Sequence, residues 1–499
     1  MSFNVELDHS TEPAEAQQQQ TTRSPPSGIN VLVAGAGPAG VYAALCCWRK
    51  GHSVRIIERS PAARTQGDFF TIAPQVVDHI VRAWPGLAEE NERIAADPWF
   101  MYQKTSGEVI AGPEAFSWTP RGAKTVRDGE GAEDRAPVPT RMYRHNRPKF
   151  LQMLISQLER VGVQIEYGCR VTEYYEDEAK AGVILDDGRR LEADVVVAAD
   201  GIGTKSHKLV NDHDIRARSS GWASFRAAFP VDRISKDKEL DEKLATLSNG
   251  HPVVRMMHGP GVQIIIFRTH DIISWGIMHK DTGEAQESWQ QTVKINTVLD
   301  YLSQVPDVPD FVKTLIRATP EDGIVDWKLM LRDPQPTTTS PLGRVVQAGD
   351  AAHTYLPSSG SGANQGIEDA IYLATCLELG GKENIKWATR VHNKLRFERV
   401  SCCQKVGFNN FARRNNRDAK AVARDPGSIK TEQGRWMWRH DPEKYAYDNY
   451  HAALEHLQSG TAFVNTNIPR GHVHEDWTVD DLMAKIERGE PIEFDGDWS

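Results

Sequence analysis

The sequence predicts an α/β protein: a Rossmann-type domain split by an inserted, mostly antiparallel β-sheet and followed by a helical C-terminal region. Three observations carry this. The apolar strand Val31-Leu32-Val33-Ala34 runs into Gly35-Ala36-Gly37-Pro38-Ala39-Gly40 and then an apolar stretch through Trp48. Two later strand-like runs empty in the same way, Val195 to Ala198 into Ala199-Asp200-Gly201, and Arg344 to Ala348 into Gly349-Asp350. Between these last two, residues 219–280 are β-like, with Gly261 to Phe267 and Ile272 to Met278 joined by Arg268-Thr269-His270-Asp271.

The chain of 499 residues is long enough for two or three domains. Residues 1–27 carry Glu6, Asp8, Glu12, Glu15, the run Gln17 to Gln20 and Ser24-Pro25-Pro26, and they are expected to form a disordered tail. They hold no apolar core of secretory-signal length. The first part of the nucleotide domain follows over 28–215. Gly35 permits the tight turn, Gly37 lets backbone approach a pyrophosphate, and Gly40 permits close helix packing, with the helix N-terminus facing the anion. The second strand, Ser53 to Ile57, ends at Glu58, about 20 residues past Gly37, where an acid is placed to accept from ribose hydroxyls.

A helix is expected from the cap Asn146, with Pro148 in its first turn and Gly162 as its stop. Strands follow at Gln164 to Tyr167, Gly182 to Leu185 and Leu191 to Ala198, the last two paired as a hairpin through Asp186-Asp187-Gly188. The β-rich insertion is expected over 216–325. The nucleotide domain resumes over 326–430, with a helix from Gly362 through Ile371. Residues 431–499 form an aromatic-rich and then acidic extension, read as a solvated cover with one short helix capped by Thr478 and stopped by Gly489.

Composition narrows the function. A net charge of −9 offers no basic surface for nucleic acid. No run approaches the roughly 18 apolar residues of a membrane span. The 6 cysteines form no C-x-x-C, so neither a disulfide framework nor zinc is indicated, and a reducing, cytoplasmic location is expected. His353 lacks partners at ligand spacing, so no metal is expected.

Taken together, Gly35 to Gly40, Ala199-Asp200-Gly201 and Gly349-Asp350-Ala351-Ala352-His353 with Pro357, Gly360, Gly362 and Asn364 resemble the class A FAD-dependent aromatic hydroxylases. These have the para-hydroxybenzoate hydroxylase fold and include salicylate hydroxylase-like fungal enzymes. The resemblance spans residues 29–400. It implies that 28–215 and 326–430 bind FAD and that 216–325 is the substrate domain. Glu58 and Arg59 match the family's E-R pair, Arg64 and Gly67 its downstream arginine and glycine, and Arg147 the arginine of its R-x-x-L helix. Asp200 and Gly201 match the motif serving both FAD and NAD(P)H, and Gly349-Asp350 the turn whose acid binds the ribityl chain. The chain departs from the pattern at Phe69, Phe70 and Pro74-Gln75, at His207 or Lys208 in place of an arginine, and at Ser361 in place of a glutamine.

The residues also speak for themselves. Amides of Gly362, Ala363 and Asn364 open a helix and can face an anionic ring. The resemblance implies reduction of FAD by NADH or NADPH, reaction with O2, and hydroxylation of a small phenolic or benzoate-like aromatic through a flavin C4a-hydroperoxide. Arg226, on the strand Ser224-Phe225-Arg226-Ala227-Ala228, matches a substrate-side arginine and is expected to grip a carboxylate or phenolate. Tyr355 and Pro357 border the expected ring. His251, His258, His270 and His279 are further candidates for a base. Two alternatives stand beside this reading: oxidation of a larger terpenoid, polyketide or indole, and a flavin-fold binding protein without turnover. Trp436-Met437-Trp438 resembles the W-x-W of flavin halogenases, but Arg439-His440 follow it and it lies far C-terminal.

Overall fold

A computed structural model describes residues 21–118, 139, 141–245, 247–286, 291–415 and 424–499. A five-stranded parallel sheet has the order Val345–Gln347, Val195–Ala198, Asn30–Ala34, Ser53–Glu58 and Ile165–Tyr167. The first three are almost wholly apolar, as strands covered on both faces are, while the last two carry the solvent-exposed Arg55–Glu166 ion pair. Val31, Val33 and Ile56 pack under helices Pro38–Arg49, Arg147–Arg160 and Gly362–Gly380. Leu32, Ala34 and Ile57 pack on an antiparallel meander of Val171–Glu176, Ala181–Leu185 and Arg190–Ala193.

The hairpin at 186–188 forms, but the expected strand 191–198 is two strands. Asp194 breaks it by accepting from the backbone N–H and side chain of Asn30, at 2.8 and 2.9 Å, which pulls the chain out of the meander and into the parallel sheet. Asn146 caps its helix by accepting from the Lys149 N–H. The helix at Gly362 runs on to Gly380, past the expected Ile371, because its buried Tyr372, Leu373, Cys376 and Leu377 continue the core stripe.

The second large sheet has eight strands. It includes Arg218–Pro230, His251–Gly259, Val262–Arg268 and Ile272–Lys280, as expected, and it also recruits Trp99–Lys104 and Val109–Glu114 from ahead of residue 216 and Val325–Leu331 at the far edge. Its faces differ in cover. Phe225, Ala227, Trp275, Ile277, Met257 and Ile264 bury against helices Ile295–Ser303 and Asp310–Arg317. The cross-strand row Arg226, Gly276, Ile265, Met256, Tyr102 points the other way, toward the nucleotide domain.

Two expectations about the ends are corrected. Residues 1–20 of the expected tail lie outside the described residues, but from Arg23 the chain is docked. The Arg23 guanidinium lies over Trp48, the Ser24 N–H donates to the Arg49 carbonyl at 2.8 Å, and the Ser24 hydroxyl donates to Glu378 at 2.7 Å. The extension is no mere solvated cover. Thr478 does cap helix Val479–Glu487, but Val479, Leu482 and Ile486 bury against Leu331, Phe408 and Phe411.

Candidate cofactor and substrate site

The three glycine motifs meet at one point. A Cβ on Gly35 would lie 2.3 Å from the Ala199 carbonyl oxygen and 2.9 Å from Asp200 Cα, so the first turn packs directly on the second motif. Gly349, at φ +60, and Gly366 close on Ala39, with built Cβ distances of 3.0 and 2.9 Å, which brings in the third. Gly37 differs: its built Cβ meets nothing within 4 Å. The turn therefore has a contact glycine at each end and an open one between.

Three acids and an arginine border that opening. Asp350 is exposed to solvent yet enclosed by protein mass, as a side chain inside a deep cleft is; burial pushes its carboxyl up. Its backbone carbonyl is held by Arg332 Nη1 at 3.0 Å. Asp200 sits beneath the second turn with one buried, unpartnered carboxylate oxygen, and desolvation raises its pKa too. The Glu58 carboxylate accepts from the N–H groups of Ala36 and Ser60, both at 2.9 Å, and so fixes the glycine turn to the end of the second strand. Arg59 is exposed at the rim, within electrostatic reach of Asp200.

Opposite, helix Gly362–Gly380 starts without a side-chain cap, leaving the amides of Gly362 and Ala363 directed outward. Gly360, at φ +61, makes the turn that aims them. Asn364 has a task not read from sequence: Oδ1 accepts from the Ala73 N–H at 2.7 Å, while Nδ2 donates to the carbonyls of Gly360 and Thr71 at 2.8 and 3.2 Å. It staples residues 71–73 across the helix start. Pro357 is exposed at the head of the preceding turn. Tyr355 lies beside Gly362, but its hydroxyl donates to the Val400 carbonyl at 3.3 Å and its ring packs with Cys403, Val406 and Met437.

Arg226 lies in a charge cluster that sequence reasoning only partly reached. Its guanidinium pairs with Asp68, whose other oxygen accepts from Arg147 Nε at 3.1 Å. Arg144 faces the same carboxylate and stands over the Phe267 ring at 5.1 Å. Three guanidinium groups hold the Asp68 carboxyl below its ordinary value against the opposing effect of burial. Asp350 also acts on Arg147, so the cluster borders the cofactor turn. Beside it are the rings of Phe69 and Phe267, packed edge to face at 4.8 Å, and an apolar group including Met256, Trp118 and Trp438.

Asp68 and Arg144 were missed. The signal was an acid next to Gly67 in a stretch that departs from the family pattern, but its partner Arg226 is 158 residues away. The four candidate histidines do not gather here. His279 stacks on Phe225 and bonds Asp326 at 3.0 Å, on the face covered by helices. His270 is at a solvent-exposed hairpin tip, and His251 stacks on Trp99. His258 is on the Arg226 face, but burial pushes its pKa down to about 3, which leaves it a poor proton acceptor at neutral pH.

A strand-turn-helix dinucleotide cradle, a second uncapped helix start and an adjoining sheet floor together make the α/β fold of the para-hydroxybenzoate hydroxylase type. The chain belongs to the FAD binding domain family, whose model matches residues 28–384. It is 41% identical over 486 residues to the FAD-dependent monooxygenase fsr3 of Gibberella fujikuroi, covering 96% of this chain and 91% of that one. Among solved structures, FqzB superposes with a TM-score of 0.77 at 29% identity, over 90% of this chain and 98% of that one. A salicylate hydroxylase substrate complex shares the fold, with a TM-score of 0.63 at 22% identity, over 85% of this chain and 98% of that one. The protein is an FAD-dependent monooxygenase. The alternative of a flavin-fold binding protein without turnover is thereby set aside. Among the described residues no cluster of metal-ligating side chains occurs and no helix is long and apolar enough to cross a membrane.

Proposed function

We propose that this monooxygenase uses NADH or NADPH and O2 to hydroxylate a small aromatic substrate bearing an anionic group, a phenolate or carboxylate. The observation that carries this is the grouping of Arg226, Arg144 and Arg147 around the single carboxylate of Asp68, beside the rings of Phe69 and Phe267. Guanidinium groups suit a planar anion, and an apolar wall suits a ring.

The residues present fit FAD. Open Gly37 leaves room for a pyrophosphate at the helix N-terminus, Glu58 is placed for a ribose, and the uncommitted carboxylate of Asp350 suits a ribityl hydroxyl. Arg59, Arg147, Asp200 and the small residues Gly35, Gly40 and Gly349 complete that side. The uncapped amides at Gly362 and Ala363, with Asn364 fixing their loop, would stabilise negative charge on the ring system. Bound FAD supplies electron transfer and the activation of O2.

The chain's own part is binding, orientation and exclusion of water. Arg226 holds the substrate anion and thereby aims the ring. The positive cluster also favours a phenolate over a phenol, since a nearby cation lowers an acid's pKa, and a phenolate ring is the more electron-rich. Because Asp68 already bonds Arg226, a substrate anion competes with it for that group.

The test is NADH and NADPH oxidation with O2 uptake across benzoates, phenols and indoles, comparing wild type with Arg226→Ala and Arg226→Lys. Arg226→Ala should still bind FAD and oxidise the nicotinamide, but release a larger fraction of H2O2 and less hydroxylated product, because a misplaced ring misses the oxygen. The lysine variant should fall between, having the charge without the planar fork. Unchanged coupling and unchanged substrate affinity in both variants would refute the assignment of Arg226. Turnover only with a larger terpenoid, polyketide or indole would favour the broader substrate class.

A further inference from the structure

The family match ends at residue 384, yet a buried line of charges runs from the cofactor turn into the chain beyond it. Asp369, on helix Gly362–Gly380, accepts from the Gly349 N–H at 2.9 Å and from His353 Nε2 at 2.6 Å; its other oxygen accepts from Arg396 Nε at 2.8 Å. Arg396 Nη1 donates to Glu368 at 2.8 Å. Both Glu368 oxygens are gripped by Arg399, through Nε at 2.7 Å and Nη2 at 3.0 Å. Arg399 then spends its remaining donors on the extension: Nη1 on the carbonyls of Trp436 and Asn467 at 3.0 and 2.8 Å, and Nη2 on that of Met437 at 3.0 Å.

None of these four charged residues is more than 3% exposed. Two acids balance two bases, and the bonds form one path from Gly349 to residues 436, 437 and 467. Each such pair is costly to break, since removing one partner strands a buried charge. At the far end the path holds a segment that itself reaches the site. Trp438 Nε1 donates to the Trp118 carbonyl at 2.9 Å, and Trp438 packs in the apolar group with Phe69 and Phe267. Gln433 and Met437 share a small cavity with Ala73, Ser361 and Asn364, at the helix start that faces the ring position.

We propose that the Asp369–Arg396–Glu368–Arg399 relay makes the C-terminal extension part of the cofactor site, with Arg399 and Asp369 as positioning residues at its two ends. Arg399 sets residues 433–438 against the helix start, and Asp369 sets the Gly349–Asp350 turn. The two act as one unit because they share helix residues 368 and 369 and the long helix Ile385–Asn415. Coupling of this kind is reciprocal: whatever orders the turn must also order the extension.

The experiment measures that reciprocity and needs no substrate or nicotinamide, so it stands apart from the proposed reaction. Hydrogen exchange on apo-protein and on protein reconstituted with FAD should show protection rising on FAD addition not only at residues 349–353 but also at 433–438 and 467. Arg399→Lys keeps the charge beside Glu368 but loses the fork, and Asp369→Asn keeps shape but loses charge. Each should weaken FAD affinity by about 10-fold and abolish the FAD-induced protection at 433–438, with far-UV circular dichroism unchanged. Wild-type affinity together with intact FAD-induced protection in both variants would overturn the proposal. If neither variant folds, the wild-type exchange decides: no FAD-induced protection at 433–438 would overturn it equally.

Discussion

Gly37→Ala separates folding from cofactor binding more sharply than any other single change. Gly37 has φ −74 and ψ 177, an extended conformation open to any residue, and a methyl there meets nothing within 4 Å. The apo-protein should therefore lose nothing, and it gains about 0.4–1 kcal/mol from a less flexible unfolded chain. The same methyl occupies the space through which backbone must approach a pyrophosphate. Losing one charge-assisted hydrogen bond there costs about 1.5–3 kcal/mol, roughly a 10- to 150-fold weaker FAD affinity. Gly40→Ala is the contrast: its Cβ would lie 1.9 Å from the Gly35 carbonyl oxygen and 3.2 Å from Ala199 Cβ, so it should destabilise the protein with or without FAD. The assay is thermal melting of apo-protein and FAD titration by quenching of flavin fluorescence. Wild-type FAD affinity in Gly37→Ala, or an apo-protein destabilised as much as Gly40→Ala, would refute the reasoning.

Asp350→Ala should weaken FAD by a similar 10- to 150-fold, since a ribityl hydroxyl would lose an ionised acceptor worth about 1.5–3 kcal/mol; full FAD occupancy after dialysis would show that the carboxylate does not touch it. Deleting residues 1–27 should lower the melting temperature relative to deleting 1–20, because only the longer deletion removes the Ser24 bonds to Arg49 and Glu378, at about 1 kcal/mol each. Equal melting temperatures would show those contacts to be idle. Acid should destabilise the fold below pH 6.5. Burial lowers His145 and His258 to about 3 and His392 to about 4, so between pH 6.5 and those values the unfolded chain binds protons the folded one does not. Stability is then present above 6.5 and lost on acidification, by at most about 4 kcal/mol per pH unit for the three near pH 5.5. Urea unfolding at pH 7, 6 and 5 measures the slope, and a flat profile would mean that these histidines titrate normally.

The nucleotide half was legible because its constraints are local. A strand that must bury on both faces is an apolar run, a turn that must pass under Ala199 needs a glycine, and both facts are written within a few residues of each other. The same logic found the Asn146 and Thr478 caps. It failed where a polar residue redirects the chain by a distant bond, as Asp194 does through Asn30, and where a sheet takes an edge from elsewhere, as strands Trp99–Lys104 and Val109–Glu114 do. Nothing in a periodicity says which earlier strand will pair with a later one.

The site follows the same division. Positions that must be small could be assigned one motif at a time, and the structure packs Gly35 against Ala199 and Asp200 and Gly349 against Ala39 at one turn. What the motifs do not reach is a set of ion pairs whose members are far apart in sequence: Asp68 with Arg226, Glu368 with Arg399. Helix Ile385–Asn415 makes the point most plainly. By composition it is as polar as a solvated helix, with no clear apolar stripe, yet Arg396 and Arg399 are inside the protein. They can be there because the preceding helix offers Glu368 and Asp369 at adjacent positions, and because the extension turns three carbonyls toward Arg399 where water would otherwise be needed. A buried arginine is affordable only when its partners are already in place. Helix Ile385–Asn415 therefore lies inside the protein as a tie between helix Gly362–Gly380, through Glu368 and Asp369, and the extension, through the carbonyls of Trp436, Met437 and Asn467.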